Sequence, residues 1–257
     1  MGHVRLGRLP RTRNWRAVVE LLETGAPVED VASQTATAAK DALLQIGRDP
    51  QVLNVVELLA RLPLEARAPG YSATMAERGI DDLGSVPGLL AGLANWMDLQ
   101  AMRRAERTDV GEIAQAAFLS ALTDQLTPIS DGFFEPSAEE LRRELGRLSS
   151  SERFASFARG FFAGVVRRTL DYYLSRELSN HVGEGKRFRS DADRAEFDNA
   201  LAQHSFEAAR IVESYAGGWY GKTVWQRGGL TSDDVRRFTS YSMTKLRREL
   251  EQREHAV

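Results

Sequence analysis

An all-α protein is predicted from three observations. Apolar residues recur at three- and four-residue spacing along most of the 257-residue chain. Nowhere does a series of alternating β-branched segments joined by hairpin turns appear. Glycine and proline fall between the periodic stretches, where helices must stop.

The elements follow in order. Asn14 is the expected N-cap of a helix over about 14–24, with Gly25 as its stop. Pro27 suits the first turn of a second helix that runs to Gly47. A third covers about 50–62. Pro63, Pro69, Gly70, Gly79, Gly84, Pro87 and Gly88 then break the pattern, leaving a short helical piece at 71–78 and the best hinge candidate. Helices resume over about 88–106 and 109–126. The segment TPISDGFFEPS interrupts the chain with Pro128, Gly132 and Pro136. Four further helices, at about 137–148, 151–181, 191–216 and 232–254, form an expected C-terminal antiparallel bundle. Ser137 with Glu140 reads as a capping box, and Thr231 with Asp234 as a weaker one. The expected organisation is an N-terminal helical subdomain over 1–127 and a C-terminal bundle over 128–257, together one continuous globular unit. No internal repeat or low-complexity tract is present.

Composition narrows the function classes. At 42% hydrophobic and 27% charged, the chain has an ordinary globular balance. A net charge of −2 argues against a protein that coats nucleic acid over its whole surface, although a local basic patch remains compatible with it. All but four of the 34 basic residues are arginine, a bias that GC-rich coding produces by itself. With no cysteine, the chain has no disulfide, thiolate nucleophile or Cys-ligated metal. No apolar run approaches the roughly 18 residues of a membrane span, and the basic N-terminus lacks the apolar core of a signal peptide. The expected compartment is the cytoplasm, with no membrane contact.

Polar residues on apolar helix faces are the first candidates for chemistry. At 100° per residue, Arg176 and Asn180 fall inside the arc held by Phe154, Phe157, Phe161, Phe162, Val165 and Tyr173. His204 sits in the middle of a stripe formed by Phe197, Leu201, Ala208 and Ile211, with Glu207 at its edge. An unpaired polar group there costs about 1–3 kcal/mol. The expectation is therefore an internal polar network of Arg176, Glu177, Asn180, His204 and Glu207, with Glu177 or Glu207 pairing Arg176.

The same residues admit an enzymatic alternative. Arg176 and His181 are separated by four residues in RELSNH, which resembles the Arg-x4–6-His signature of the HEPN ribonucleases. The resemblance covers six residues. It implies an all-helical, often dimeric, metal-independent ribonuclease in which His181 acts as general acid/base on the RNA 2′-hydroxyl and Arg176 stabilises phosphate charge. Glu177 with His181 and His204 with Glu207 also have metal-ligand spacings. The inward carboxylates of a bundle di-metal site are missing from the earlier helices, so no metal and no cofactor is expected. Gly221-Lys222-Thr223 lacks the first glycine of a P-loop, since residue 216 is Ala.

Two surface features point to binding. Arg5, Arg8, Arg11, Arg13 and Arg16 precede the first acidic residue, Glu20, and make a basic arm suited to a polyanion. Tyr215, Trp219, Tyr220 and Trp225 gather around Gly217-Gly218, where rings either pack over a helix junction or anchor a partner. The expected role is a non-enzymatic helical subunit or adaptor of a bacterial multiprotein assembly. It docks a protein partner through Trp219, Tyr220 and Trp225 and contacts nucleic acid through Arg5, Arg8, Arg11 and Arg13. The oligomeric state is not fixed by the sequence.

Overall fold

A computed structural model describes residue 6 and residues 12–104, 107–130, 136–226 and 229–252, with the side chains of 129 and 130 excepted. Among the described residues the fold is all-α, with twelve α-helices and no named strand. In chain order they are α1 Arg13–Glu23, α2 Val28–Ala38, α3 Lys40–Ile46, α4 Pro50–Arg67, α5 Tyr71–Glu77, α6 Val86–Arg104, α7 Asp109–Ser130, α8 Ala138–Arg147, α9 Ser151–Leu178, α10 Asp191–Ala208, α11 Arg210–Gly221 and α12 Ser232–Gln252. A 3₁₀ turn, Ser179–His181, follows α9, and a π-helical turn, Lys222–Gln226, follows α11. No helix among the described residues is long and apolar enough to cross a membrane.

Helix α9 organises the core because phenylalanine recurs on its inner face: Phe154, Phe157, Phe161 and Phe162 are all buried. It packs on α7, α10 and α11. Gly164 lets α7 come close, since a Cβ there would stand only 3.1 Å from the Ala117 Cβ. Contacts of α4 with α8, and of α12 with α2, α3 and α4, join the first half of the chain to the second.

The observed boundaries refine the expected ones. Thr12, the residue just before the helix, is the N-cap of α1, its hydroxyl accepting from Trp15 N at 3.3 Å, and Asn14 is an exposed residue within the helix. Gly25 does end this helix, at φ +72°, a conformation that side chains with a Cβ resist. Two expected single helices are each bent into a pair, at Ala39 and at Ala209. Both bends keep their flanking bonds, Ala39 N to Thr35 O at 2.8 Å and Ala209 N to Ser205 O at 3.1 Å. Pro63 does not end α4, which continues to Arg67. Proline removes an N–H and crowds the carbonyl four residues earlier. In α4, the adjacent Ala60 carbonyl accepts the Tyr220 hydroxyl at 3.0 Å, which steadies the backbone at this interruption. Likewise α7 extends past the expected end at 126, through Pro128.

Candidate functional site: an arginine groove beside Trp225

The C-terminal end of α4, helix α8 and the first turn of α9 enclose an open groove of about 590 Å³. Helix α8 starts where expected, with Ser137 and Glu140 forming a reciprocal capping box. That box and the accepted bonds hold the Glu140 carboxyl below the usual carboxylate range, backbone donation from Ser137 being the main cause. The sequence EELRRELGR then aims Arg142, Arg143 and Arg147 at the groove, while Leu141 and Leu145 are buried. Arg67 enters from the end of α4 and Arg153 from the start of α9.

These five guanidinium groups differ in what holds them. Arg142 donates to the carbonyls of Ala66 (2.9 Å) and Ala68 (3.1 Å), and so caps the orphan acceptors at the end of α4. Arg147 and Arg153 share Glu144, the latter at 3.5 Å, and Arg143 lies 4.0 Å from Glu140. Arg67 donates to Ser149 Oγ at 3.1 Å and lies over the Trp225 ring, 5.3 Å from its centroid. Gly146 makes room for it, because a Cβ there would press on Arg67 Cγ at 3.1 Å. Trp225, carried by the π-helical turn, is 59% exposed. An exposed indole held under an arginine, beside further arginines, can grip planar anionic groups by bidentate hydrogen bonds and offer a ring for apolar contact.

The other residues of the aromatic cluster turn inward. Tyr220 is fully buried and stacks on Phe154 with centroids 3.8 Å apart and planes at 11°. Trp219 is half-buried and stacks on Phe238 at 4.0 Å. Of the three expected anchors, Trp225 is exposed, Trp219 is half-buried and Tyr220 serves the core. Of the expected basic arm, Arg13 is exposed at the start of α1, and Arg5, Arg8 and Arg11 lie outside the described residues.

Of the five residues expected to form one internal network, Arg176 and Asn180 lie at the surface instead of inside. His204, 6% exposed, lies on the inner face of α10. Glu207 is half-buried and pairs with Arg159 (3.5 Å) and Arg210 (3.1 Å) instead of Arg176. Arg176 and Asn180 are exposed, and Glu177 is half-buried. Their displacement has a clear cause: the buried stripe winds round α9, passing from the phenylalanines to Leu170, Leu174 and Leu178, so a fixed arc fails near the C-terminal end. Arg176 donates to the Tyr172 hydroxyl at 3.3 Å and lies over the Tyr172 ring. The Asn180 carbonyl accepts from Lys186 Nζ at 2.8 Å. His181, in the 3₁₀ turn, shares no hydrogen bond with Arg176 among the described residues, and its carbonyl accepts from Phe188 N at 3.0 Å. Among the described residues no three His, Asp or Glu side chains converge as a metal site requires.

The groove was not anticipated from sequence, since its arginines come from three separate segments of an arginine-rich chain. The one local signal was the run Arg142, Arg143 and Arg147 flanking a well-capped helix. No protein-family model, curated protein or solved structure matches this chain.

Proposed function

We propose that this chain is a non-enzymatic binding subunit that docks an acidic segment of a partner protein in the arginine groove, with Trp225 as the aromatic anchor. The observation that carries the reading is Arg67 laid over the exposed Trp225 at the edge of a groove lined by four further arginines. Tryptophan and arginine are the residue types that concentrate binding energy at protein interfaces. Exposed ion pairs such as Arg143 with Glu140 are worth roughly 0–1 kcal/mol, so a partner's carboxylates can exchange for them at little cost. Glu139, Glu140 and Glu144 stand among the arginines, an interleaving that suits discrete carboxylates and opposes the continuous negative charge of a nucleic-acid backbone.

The test is a fluorescence anisotropy titration of the full chain with a labelled Asp/Glu-rich peptide carrying one leucine, beside single-stranded RNA of equal length. Peptide affinity should exceed RNA affinity, fall as salt rises, and drop at least about tenfold when Arg67, Arg143 and Arg147 are all replaced by Gln. Stronger RNA binding at the same residues would make the groove a nucleic-acid site, and no binding of either would remove the proposal. The ribonuclease alternative makes its own demand: metal-independent RNA cleavage that disappears in both Arg176→Ala and His181→Ala.

A further inference from the structure

A separate concavity opens between α4 and α6. Both helices pack on α7, and the space left between them is about 200 Å³. Its floor is apolar, built from Val55 and Leu58 of α4 and Met97 and Ala101 of α6. Its rim carries Arg61, Arg78 and Arg104, with Glu57 beside them.

The three arginines are not equivalent. Arg61 is paired with Glu57 at 2.8 Å. Arg78 meets both oxygens of Glu65 at 2.7 Å and lies over Trp96, 4.8 Å from the ring centroid. Arg104 is held across the opening by the neutral Asn54 side chain, its NH1 donating to Oδ1 at 2.6 Å. Among the described residues Arg104 has no carboxylate partner. Asn54 thus orients this exposed guanidinium without supplying a countercharge. A cation oriented by a neutral partner at the mouth of an apolar slot, with no carboxylate on it among the described residues, selects an anion with an apolar body.

We propose that this slot binds a small amphipathic carboxylate, with its aryl or branched alkyl body on the Val55, Leu58, Met97 and Ala101 floor and its carboxylate on Arg104. Size fixes the class. An apolar cavity of about 150 Å³ takes a benzene-sized body, and drug-sized ligands need about 300 Å³ or more. The space here therefore fits a ring or branched chain with one short acidic arm.

Isothermal titration of the full chain with phenylacetate, hydrocinnamate and 4-methylvalerate tests this, with phenylacetamide as the neutral control. At least one carboxylate should bind saturably at one site per chain, at least about tenfold tighter than phenylacetamide. Arg104→Gln should weaken that carboxylate at least about tenfold while leaving the thermal midpoint near its original value. Ala101→Phe, which fills the slot, should abolish binding. The triple groove variant at Arg67, Arg143 and Arg147 should bind the carboxylate as the unmodified chain does, which separates this site from the docking groove. Failure of all three carboxylates to bind, or equal binding by the amide and by Arg104→Gln, would overturn the assignment.

Discussion

The first turn of α9 has an inner and an outer side, and they are built on opposite principles. On the inner side Phe154 stacks on Tyr220, and Trp219 stacks on Phe238, in an aromatic seam that joins α9, α11 and α12. On the outer side, within a turn, Arg153 faces a groove of charged residues with Trp225 exposed nearby. Close-packed interiors transmit any change of volume. Exposed charges in water are worth little singly and are free to change partners. The lesson is that one short segment of helix supports both a rigid seam and an adaptable surface, and that only the adaptable side is suited to binding.

Substitutions should separate these two sides by the size of their effect. Phe154→Ala should cost about 3–5 kcal/mol in chemical denaturation, since it empties a fully buried site in the seam. Gly217→Ala should cost about 1–3 kcal/mol, because the added Cβ meets the Ser151 backbone carbonyl, which cannot move aside as a flexible side chain would. Tyr220→Phe should cost about 1 kcal/mol by removing the bond to the Ala60 carbonyl while keeping the stack. The triple groove variant at Arg67, Arg143 and Arg147 should change stability by less than about 1 kcal/mol. It should nevertheless abolish most acidic-peptide binding. If it unfolds the protein instead, the groove belongs to the scaffold and the contrast fails.

Alkaline titration probes the interior independently. Burial pushes the Tyr71 and Tyr173 hydroxyls up to about 12, and it raises Tyr215 and Tyr220 as well. These groups stay protonated in the folded chain while the unfolded chain loses their protons near pH 10. Between about pH 10 and 12 the native state therefore binds more protons, and stability must fall as pH rises. Denaturation midpoints should hold steady below pH 10 and decline above it, and the tyrosinate absorbance should rise together with unfolding.

Much of the fold was legible from sequence because helix periodicity and caps are local. The Ser137/Glu140 box, the Gly25 stop and the short helix near residue 71 all appear where local chemistry puts them. The bends at Ala39 and Ala209 leave no trace in the sequence, because alanine is the strongest helix former. Pro63 and Pro128 misled in the other direction, since α4 and α7 tolerate them within long helices. The sequence marks Trp219, Tyr220 and Trp225 alike, but the exposure of Trp225 and the burial of Tyr220 depend on how the helices pack around them. The groove itself required Arg67 and Arg153 to meet α8 in space, a coincidence that no spacing along the chain encodes.

The four tryptophans offer the most direct test of where a partner docks. Trp15 is a buried residue of α1, Trp96 lines the α4–α6 slot, Trp219 lies in the aromatic seam and Trp225 edges the groove. In a ¹⁵N NMR titration of the full chain with the acidic peptide, the Trp225 indole N–H signal should move most, with Trp15 and Trp96 unmoved. Peptide binding that leaves Trp225 unmoved, or no binding at all, would contradict the assignment of this groove as the docking surface.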